Sequence, residues 1–294
     1  MFDRAKFECM PLYEDFKYWF IRTGAKSFDV INLETRETDV YSIVESSEGP
    51  YILSTDASAI VDPQINADFS LYLLRPEYKV GTTVPVIGET LEQLIDTYET
   101  LLVGVAFIRA REAGKNPDTA YNKFSDICLA WLASTDMYSA PASTKYHEAF
   151  HGGLLVHTLN VYNRAIELLY GMDCFKNNIS AQSASLVALT HDWCKIDLYE
   201  SYERNVKNNK TGQWEKELNY KHNQKGIPLG HGVSSMFLAS KCIKLSQVEA
   251  LAIRWHMGWC RVADSDMNEL QMANETFPLV HLLQFADQLS ICNY

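Results

Sequence analysis

The stretch "LVALTHDWCKIDLYE" (Leu186–Glu200) is an apolar helical run that stops at an adjacent histidine and aspartate, His191 and Asp192, with Lys195 following. Consecutive residues on a helix point about 100° apart and do not face each other. A direct partnership between this imidazole and this carboxylate is therefore not the expected reason for the doublet. A shared external object, such as a metal ion, accounts for both, provided that other helices supply further ligands.

The surrounding sequence is helical from about residue 88 onward. "ETLEQLIDTYETLLVGVAFIRARE" places Leu91, Leu94, Ile95, Tyr98 and Leu102 at helical spacing, and "NPDTAYNKFSDICLAWLAS" opens with Asn116 as cap before Pro117. A polar loop, "SAPASTKYHEAFHGG", leads into "LLVHTLNVYNRAIELLYG", whose final glycine suits a helix end. After the opening stretch, "YERNVKNNKTGQWEKELNYK" has the pattern of a β-hairpin turning at Asn209 to Gly212. "LSQVEALAIRWHMGW" begins with a capping box, Ser246 and Glu249, and ends near Gly258. The last helix, "PLVHLLQFADQLS", has Pro278 in its first turn.

Residues 1 to 87 differ in texture. Short β-like runs, "SFDVINLE", "DVYSIVES", "PYILSTD" and "SLYLLRP", are punctuated by Gly49, Pro50, Pro63, Pro76 and Pro85, the pattern of an α+β region with no motif that names a function. The expected division is thus 1–87, a smaller α+β region, and 88–294, a mainly α domain with an inserted hairpin. With 294 residues, 47% of them hydrophobic, the chain can bury a large core. A net charge of −11 argues against a coat for nucleic-acid backbones, so extensive duplex binding is not expected. The absence of a long apolar run and the charges in "MFDRAKFECMPLYEDFKYWF" lead to the expectation of a cytoplasmic protein without a membrane partner. Seven cysteines with no C-x-x-C pair suggest neither a disulfide framework nor a structural zinc site; most are expected to be buried as small hydrophobes.

Polar residues at core-like positions form the constellation that the opening doublet requires. His157, His191 with Asp192, His231, His256 and Asp287 each fall within or at the end of an amphipathic helix. One buried polar group per helix is costly without a partner, and so many on separate helices imply a common one. Nitrogen and carboxylate ligands without thiolate suit manganese, iron, magnesium, cobalt, nickel or zinc.

His157, the His191–Asp192 doublet and Asp287 match the H…HD…D signature of the HD-domain metal-dependent phosphohydrolase superfamily, which the chain resembles over about residues 130 to 292. "PASTKYHEAFHGGLLVHTLNV", "HDWCKI", the "GHG" turn and "LAIRWHMG" are similar to bacterial and phage HD proteins related to HD-type 3′–5′ exoribonucleases. The chain departs from that branch at Val156, where Glu is frequent, and at His151; neither is a ligand position. The resemblance implies an HD-type helical bundle in which His157, His191, Asp192 and Asp287 hold one divalent ion. His231 and His256 match the added ligands of two-metal members, with Asp192 bridging, although a histidine beside two glycines also suits a helix cap.

Such a centre hydrolyses phosphate esters of a nucleotide or an oligonucleotide 3′ end, and such enzymes often form homo-oligomers. Lys195 matches the lysine of HD-x-x-K and is assigned to a phosphate oxygen or a carboxylate beside the metals. Lys145 and His147, in the "KYH" segment, and Arg204, on the hairpin, are candidates for substrate binding. Between Glu203 and Lys225 six lysines or arginines stand against three glutamates, a basic flap that could attract an anion, with Trp214 placed either to stack on a base or to pack underneath. Two alternatives remain: an HD-fold di-iron oxygenase, and a nucleotide-binding regulatory module without turnover. Arg254, His222 and His281 fall off the ligand faces.

Overall fold

The computed structural model describes residues 9–11, 18–24, 27–32, 38–46, 49–54, 80–115, 123–207, 212–223, 226–260 and 262–291. The chain forms two compact units, one of residues 1–79 with 110–120 and the other of residues 80–109 with 121–294.

In the first unit the described backbone is an antiparallel meander of β1 (Cys9–Pro11), β2 (Tyr18–Gly24), β3 (Ser27–Asn32), β4 (Thr38–Ser46) and β5 (Gly49–Ser54), paired in that order. Tyr18 faces Asn32, Ser27 faces Ser42, and Ser46 faces Gly49. Three of the β-like runs of the sequence lie on β3, β4 and β5. The fourth, "SLYLLRP", and the cap at Asn116 and Pro117 lie outside the described residues.

The second unit is mainly helical. Its helices are α1 (Leu91–Glu112, whose last three residues fall in the first unit), α2 (Gly153–Gly171), α3 (Ala181–Thr190), α4 (His231–Cys242), α5 (Gln247–Trp255), α6 (Met267–Thr276) and α7 (Pro278–Ser290), with a helical stretch over Ser125–Ala133 and single turns between them. Helix α1 buries Leu94, Tyr98, Leu101, Leu102 and Val105, one stripe at helical spacing. It is pinned to the end of α3: Tyr98 donates to the Leu189 carbonyl at 3.0 Å and accepts from the Trp193 indole at 2.8 Å. Helix α2 packs on α3 and α7, α7 also on α5, and α4 on both α5 and the turn at Trp193–Lys195. The capping box at α5 is complete, with Ser246 and Glu249 each accepting the other's backbone N–H. Pro278 opens α7 as its first helical residue.

The helical unit begins at Val80, earlier than the boundary at 88 expected from the sequence, because the intervening segment is tied to α2. Asn163 accepts from Val84 N and donates to Val84 O, both at 2.8 Å, and the Tyr162 hydroxyl binds Gly81 N and Thr82 O. Helix α2 ends without a left-handed glycine; the chain leaves Gly171 through Met172 in an extended conformation. Strands β6 (Tyr199–Lys207) and β7 (Trp214–His222) form the inserted hairpin, Lys207 facing Trp214. Of the five cysteines whose side chains are described, Cys128 and Cys194 are buried, Cys242 is partly exposed, and Cys174 and Cys260 are exposed; the side chains of Cys9 and Cys292 lie outside the described residues. Among the described residues no helix is long and apolar enough to cross a membrane.

Candidate metal centre

The opening doublet sits at the end of α3, and there the structure corrects the expectation drawn from helix geometry. His191 keeps helical angles (φ −57°, ψ −34°), but Asp192 leaves the helix (φ −108°, ψ 18°) to begin the 3₁₀ turn Trp193–Lys195. Side chains that would diverge on a continuous helix therefore converge, with His191 Nε2 at 3.4 Å from Asp192 Oδ2. The doublet is a local pair as well as a pair aimed at a common point.

Two glycines let the other elements close in. A Cβ on Gly232 would lie 2.0 Å from the Arg254 carbonyl oxygen, so only glycine allows the start of α4 to touch the end of α5. That contact sets the rings of His231 and His256 at 5.3 Å between centroids. Likewise, a Cβ on Gly153 would lie 1.9 Å from the Glu148 carbonyl oxygen. The loop before α2 folds back there onto the helix that carries His157, and Glu148 takes a positive φ of 42°. On α7, Gln284, one turn before Asp287, donates to the Trp255 carbonyl at 2.8 Å and so ties α7 to the end of α5.

All six proposed ligands meet. His157 Nε2 lies 3.2 Å from Asp287 Oδ1, 3.3 Å from Asp192 Oδ2 and 3.4 Å from His191 Nε2. On the other side of Asp192, Oδ1 receives His231 Nε2 at 2.7 Å and faces His256 Nε2 at 3.5 Å. His157, His191, Asp192 and His256 are all at most 3% exposed. Lys195 is buried too, its ammonium 2.6 Å from Asp192 Oδ2, so it contacts the carboxylate and is not a solvated lysine at a helix end.

The ring orientations fit a metal. His191 and His256 direct Nδ1 to the carbonyls of Ala188 and Ile253, at 2.8 and 2.7 Å. A carbonyl only accepts, so each Nδ1 carries the proton and each neutral ring presents a bare Nε2 inward, the arrangement seen in metal-ligating histidines. Among the described residues His256 Nε2 has no hydrogen-bond partner although it is buried, a costly state that a bound cation would relieve. His157 Nδ1 approaches Ser290 Oγ at 3.4 Å, whose own hydrogen goes to the Asp287 carbonyl.

In the metal-free chain, protons and Lys195 balance the carboxylates. Burial opposes a charge on His157, but its hydrogen bonds to Asp192 and Asp287 prevail and bring its pKa up to about 9. His256 is raised by the charges of the nearby Asp192 and Asp287 carboxylates against its burial, whereas burial keeps His191 low. Asp192 overcomes burial through Lys195 and the histidines beside it, and Asp287 through His157, His191 and His256; both stay far below the usual carboxylate range.

The substrate candidates fare unequally. His147 lies against His157, ring centroids 5.0 Å apart, and burial with the neighbouring His157 brings its pKa down to about 4. Lys145 is exposed in the same loop. Arg204 does not stand free for a substrate: its guanidinium is engaged by Glu217 across the hairpin at 3.1 Å. Lys216 pairs with Glu203 and Lys221 with Glu200. On the described strands Arg204, Lys207, Lys216 and Lys221 stand with Glu200, Glu203, Glu215 and Glu217; Lys210 and Lys225, which make the segment basic, lie outside the described residues. Trp214 is 70% exposed, which removes packing underneath the hairpin as its role. Arg254 pairs with Glu269 at 2.9 Å, His222 lies against Tyr199, and His281 stacks on Phe285, all away from the ligand set.

Sequence patterns passed over Glu148, Cys194 and Ser290. Glu148 Oε2 is buried without a hydrogen-bond partner among the described residues, 3.9 Å from His157 Nδ1; its place beside His147 was the available signal. Cys194 Sγ lies 3.2 Å from His231 Nδ1, and its position inside "HDWCK" was the only hint. Comparison with models of protein families, with curated proteins and with solved structures finds no match to this chain.

Proposed function

We propose that this chain is a metal-dependent phosphoric ester hydrolase of the HD kind, acting on a nucleotide or short oligonucleotide. The observation that carries the reading is Asp192, whose Oδ2 faces His157 and His191 while Oδ1 faces His231 and His256. His157, His191, Asp287 and Asp192 would hold one divalent ion, and Asp192, His231 and His256 a second. Paired divalent ions lower the pKa of a bound water and offset the charge that grows on a phosphoryl group under attack. The protein's own part is to direct Nδ1 of His191 and His256 to backbone carbonyls so that Nε2 faces inward, to exclude water from His157, His191 and His256, and to hold Asp192 in place with Lys195. Lys145 and His147, in the loop beside His157, are assigned to the substrate; Arg204 joins them only if its pair with Glu217 opens.

The test is elemental analysis of the chain and of Asp192→Ala after loading with manganese, nickel, cobalt or iron, followed by phosphate-release assays on a nucleotide and oligonucleotide panel. The expected result is about two ions per chain and hydrolysis, both lost in the variant with helical circular dichroism retained. Iron with oxygen uptake and no hydrolysis would favour the oxygenase alternative, and nucleotide affinity without turnover the regulatory one. No bound metal at all would sink the reading.

A further inference from the structure

His191 and His256 are oriented by the same device. Each stands at the C-terminal end of its helix, where the last carbonyls lack intrahelical partners. Each Nδ1–H is accepted by the carbonyl three residues earlier. His231 cannot be held in this way. It is the first residue of α4, and a helix N-terminus offers unsatisfied N–H groups, which cannot accept a proton. Yet its Nε2 must face Asp192, as it does at 2.7 Å, and its side chain is 33% exposed where those of His191 and His256 are closed to solvent. Something other than a backbone carbonyl has to fix its Nδ1.

We infer that Cys194 is the positioning residue for His231, its thiol sulfur accepting the Nδ1–H and turning Nε2 toward the second ion; this rests on the proposed dinuclear site. Cys194 Sγ is 3.2 Å from His231 Nδ1, within reach of a hydrogen bond to sulfur. The backbone that carries the sulfur is held on both sides of the contact. Cys194 lies on the turn that follows Asp192, and its backbone N–H donates to Ser235 Oγ at 3.0 Å, one turn along α4 from His231. The thiol thus joins the element that carries the shared carboxylate to the helix that carries the outer histidine. A sulfur is a weaker acceptor than a carbonyl oxygen, so the second ion is the more loosely held of the two.

The experiment titrates cobalt(II) into the full chain and into Cys194→Val and Cys194→Ser, following the visible cobalt bands, near-ultraviolet absorption and ions bound after gel filtration. In Cys194→Val the affinity for the second ion is expected to fall by about 10-fold to 100-fold, as for other partners of ligating histidines, while the first ion stays bound. That retained ion also reports a folded chain. Cys194→Ser, whose oxygen also accepts, is expected to recover most of the loss. Two ions bound equally well by Cys194→Val would overturn the inference and leave the metal reading standing. A thiolate-to-cobalt band in the unsubstituted chain that disappears in Cys194→Ser would overturn it by making Cys194 a ligand. A chain that binds no cobalt would overturn the metal reading and this inference with it.

Discussion

Asp192 is the residue on which the candidate centre turns, because its two oxygens look toward different histidines. His157 shares Oδ2 with Lys195 and His191, and it is the ligand whose proton the metal must displace. With its pKa near 9 in the metal-free chain, His157 is protonated at neutral pH, and a divalent ion competes with that proton. Loading therefore weakens as pH falls below about 9, and at pH 7 it releases about one proton per chain from His157. Calorimetric titration with manganese at pH 7, in two buffers of different ionisation enthalpy, measures that proton; identical heats in both would contradict the assignment. Residue types carried this part of the story. The histidines and acids were visible as polar intruders at core positions, and the resemblance implied a bridging Asp192; which oxygen faces which histidine was not visible, since it depends on where α3 stops.

At the scale of the element, helix ends do the positioning. Gly232 is the single residue that lets α4 meet α5, and the atom a Cβ would strike is backbone, which cannot swing aside. Gly232→Ala is expected to cost about 1–3 kcal/mol through overpacking and to lose the second ion while keeping the first. Urea unfolding and elemental analysis check the two halves separately.

Helix α5 is fixed at its other end by Glu249, whose buried carboxylate accepts from Ser183 Oγ at 2.6 Å and from Ser246 N at 2.8 Å and is paired with Arg109. Burial alone would raise its pKa, but Ser183, Ser246 and Arg109 together lower it below the ordinary 4.5. A carboxyl with a depressed folded value stabilises the fold above its unfolded pKa and loses that contribution as pH falls through the folded one. The stability gap between the chain and Glu249→Gln should therefore be constant near neutrality and shrink below pH 4.5. A gap unchanged down to complete acid unfolding would refute it. The capping box and Pro278 were legible because capping is local. The stop at His191–Asp192 was legible too, but the turn that follows it was not, because it depends on the Trp193 indole donating to Tyr98 and to the Leu189 carbonyl.

For the whole molecule, the hairpin is the element least needed by the fold. Apart from Tyr220, buried at its base, its residues are exposed or partly so, and its ion pairs lie at the surface, where such pairs contribute little. Replacing residues 203–218 by a two-residue Asn-Gly turn is expected to change unfolding free energy by no more than about 0.5 kcal/mol and to leave metal content unchanged. A fall in bound metal would show that the ribbon supports the centre. Any effect confined to oligonucleotide hydrolysis would assign the exposed Trp214 to substrate.

By itself the sequence determined most helices of the second unit, the inserted hairpin, the capping box of α5, Pro278 at the start of α7 and the residue types of the centre, because periodicity, capping and the cost of a buried imidazole act within a few residues of chain. Only the tertiary structure decided that residues 80–87 belong with the helices, that Arg204 pairs with Glu217, that Glu148 and Cys194 lie against the ligands, and which histidines each oxygen of Asp192 faces. Those facts arise from contacts between segments far apart in the chain, such as α2 with Val84 and α4 with Arg254, and no local pattern records which distant carbonyl or carboxylate a side chain will meet.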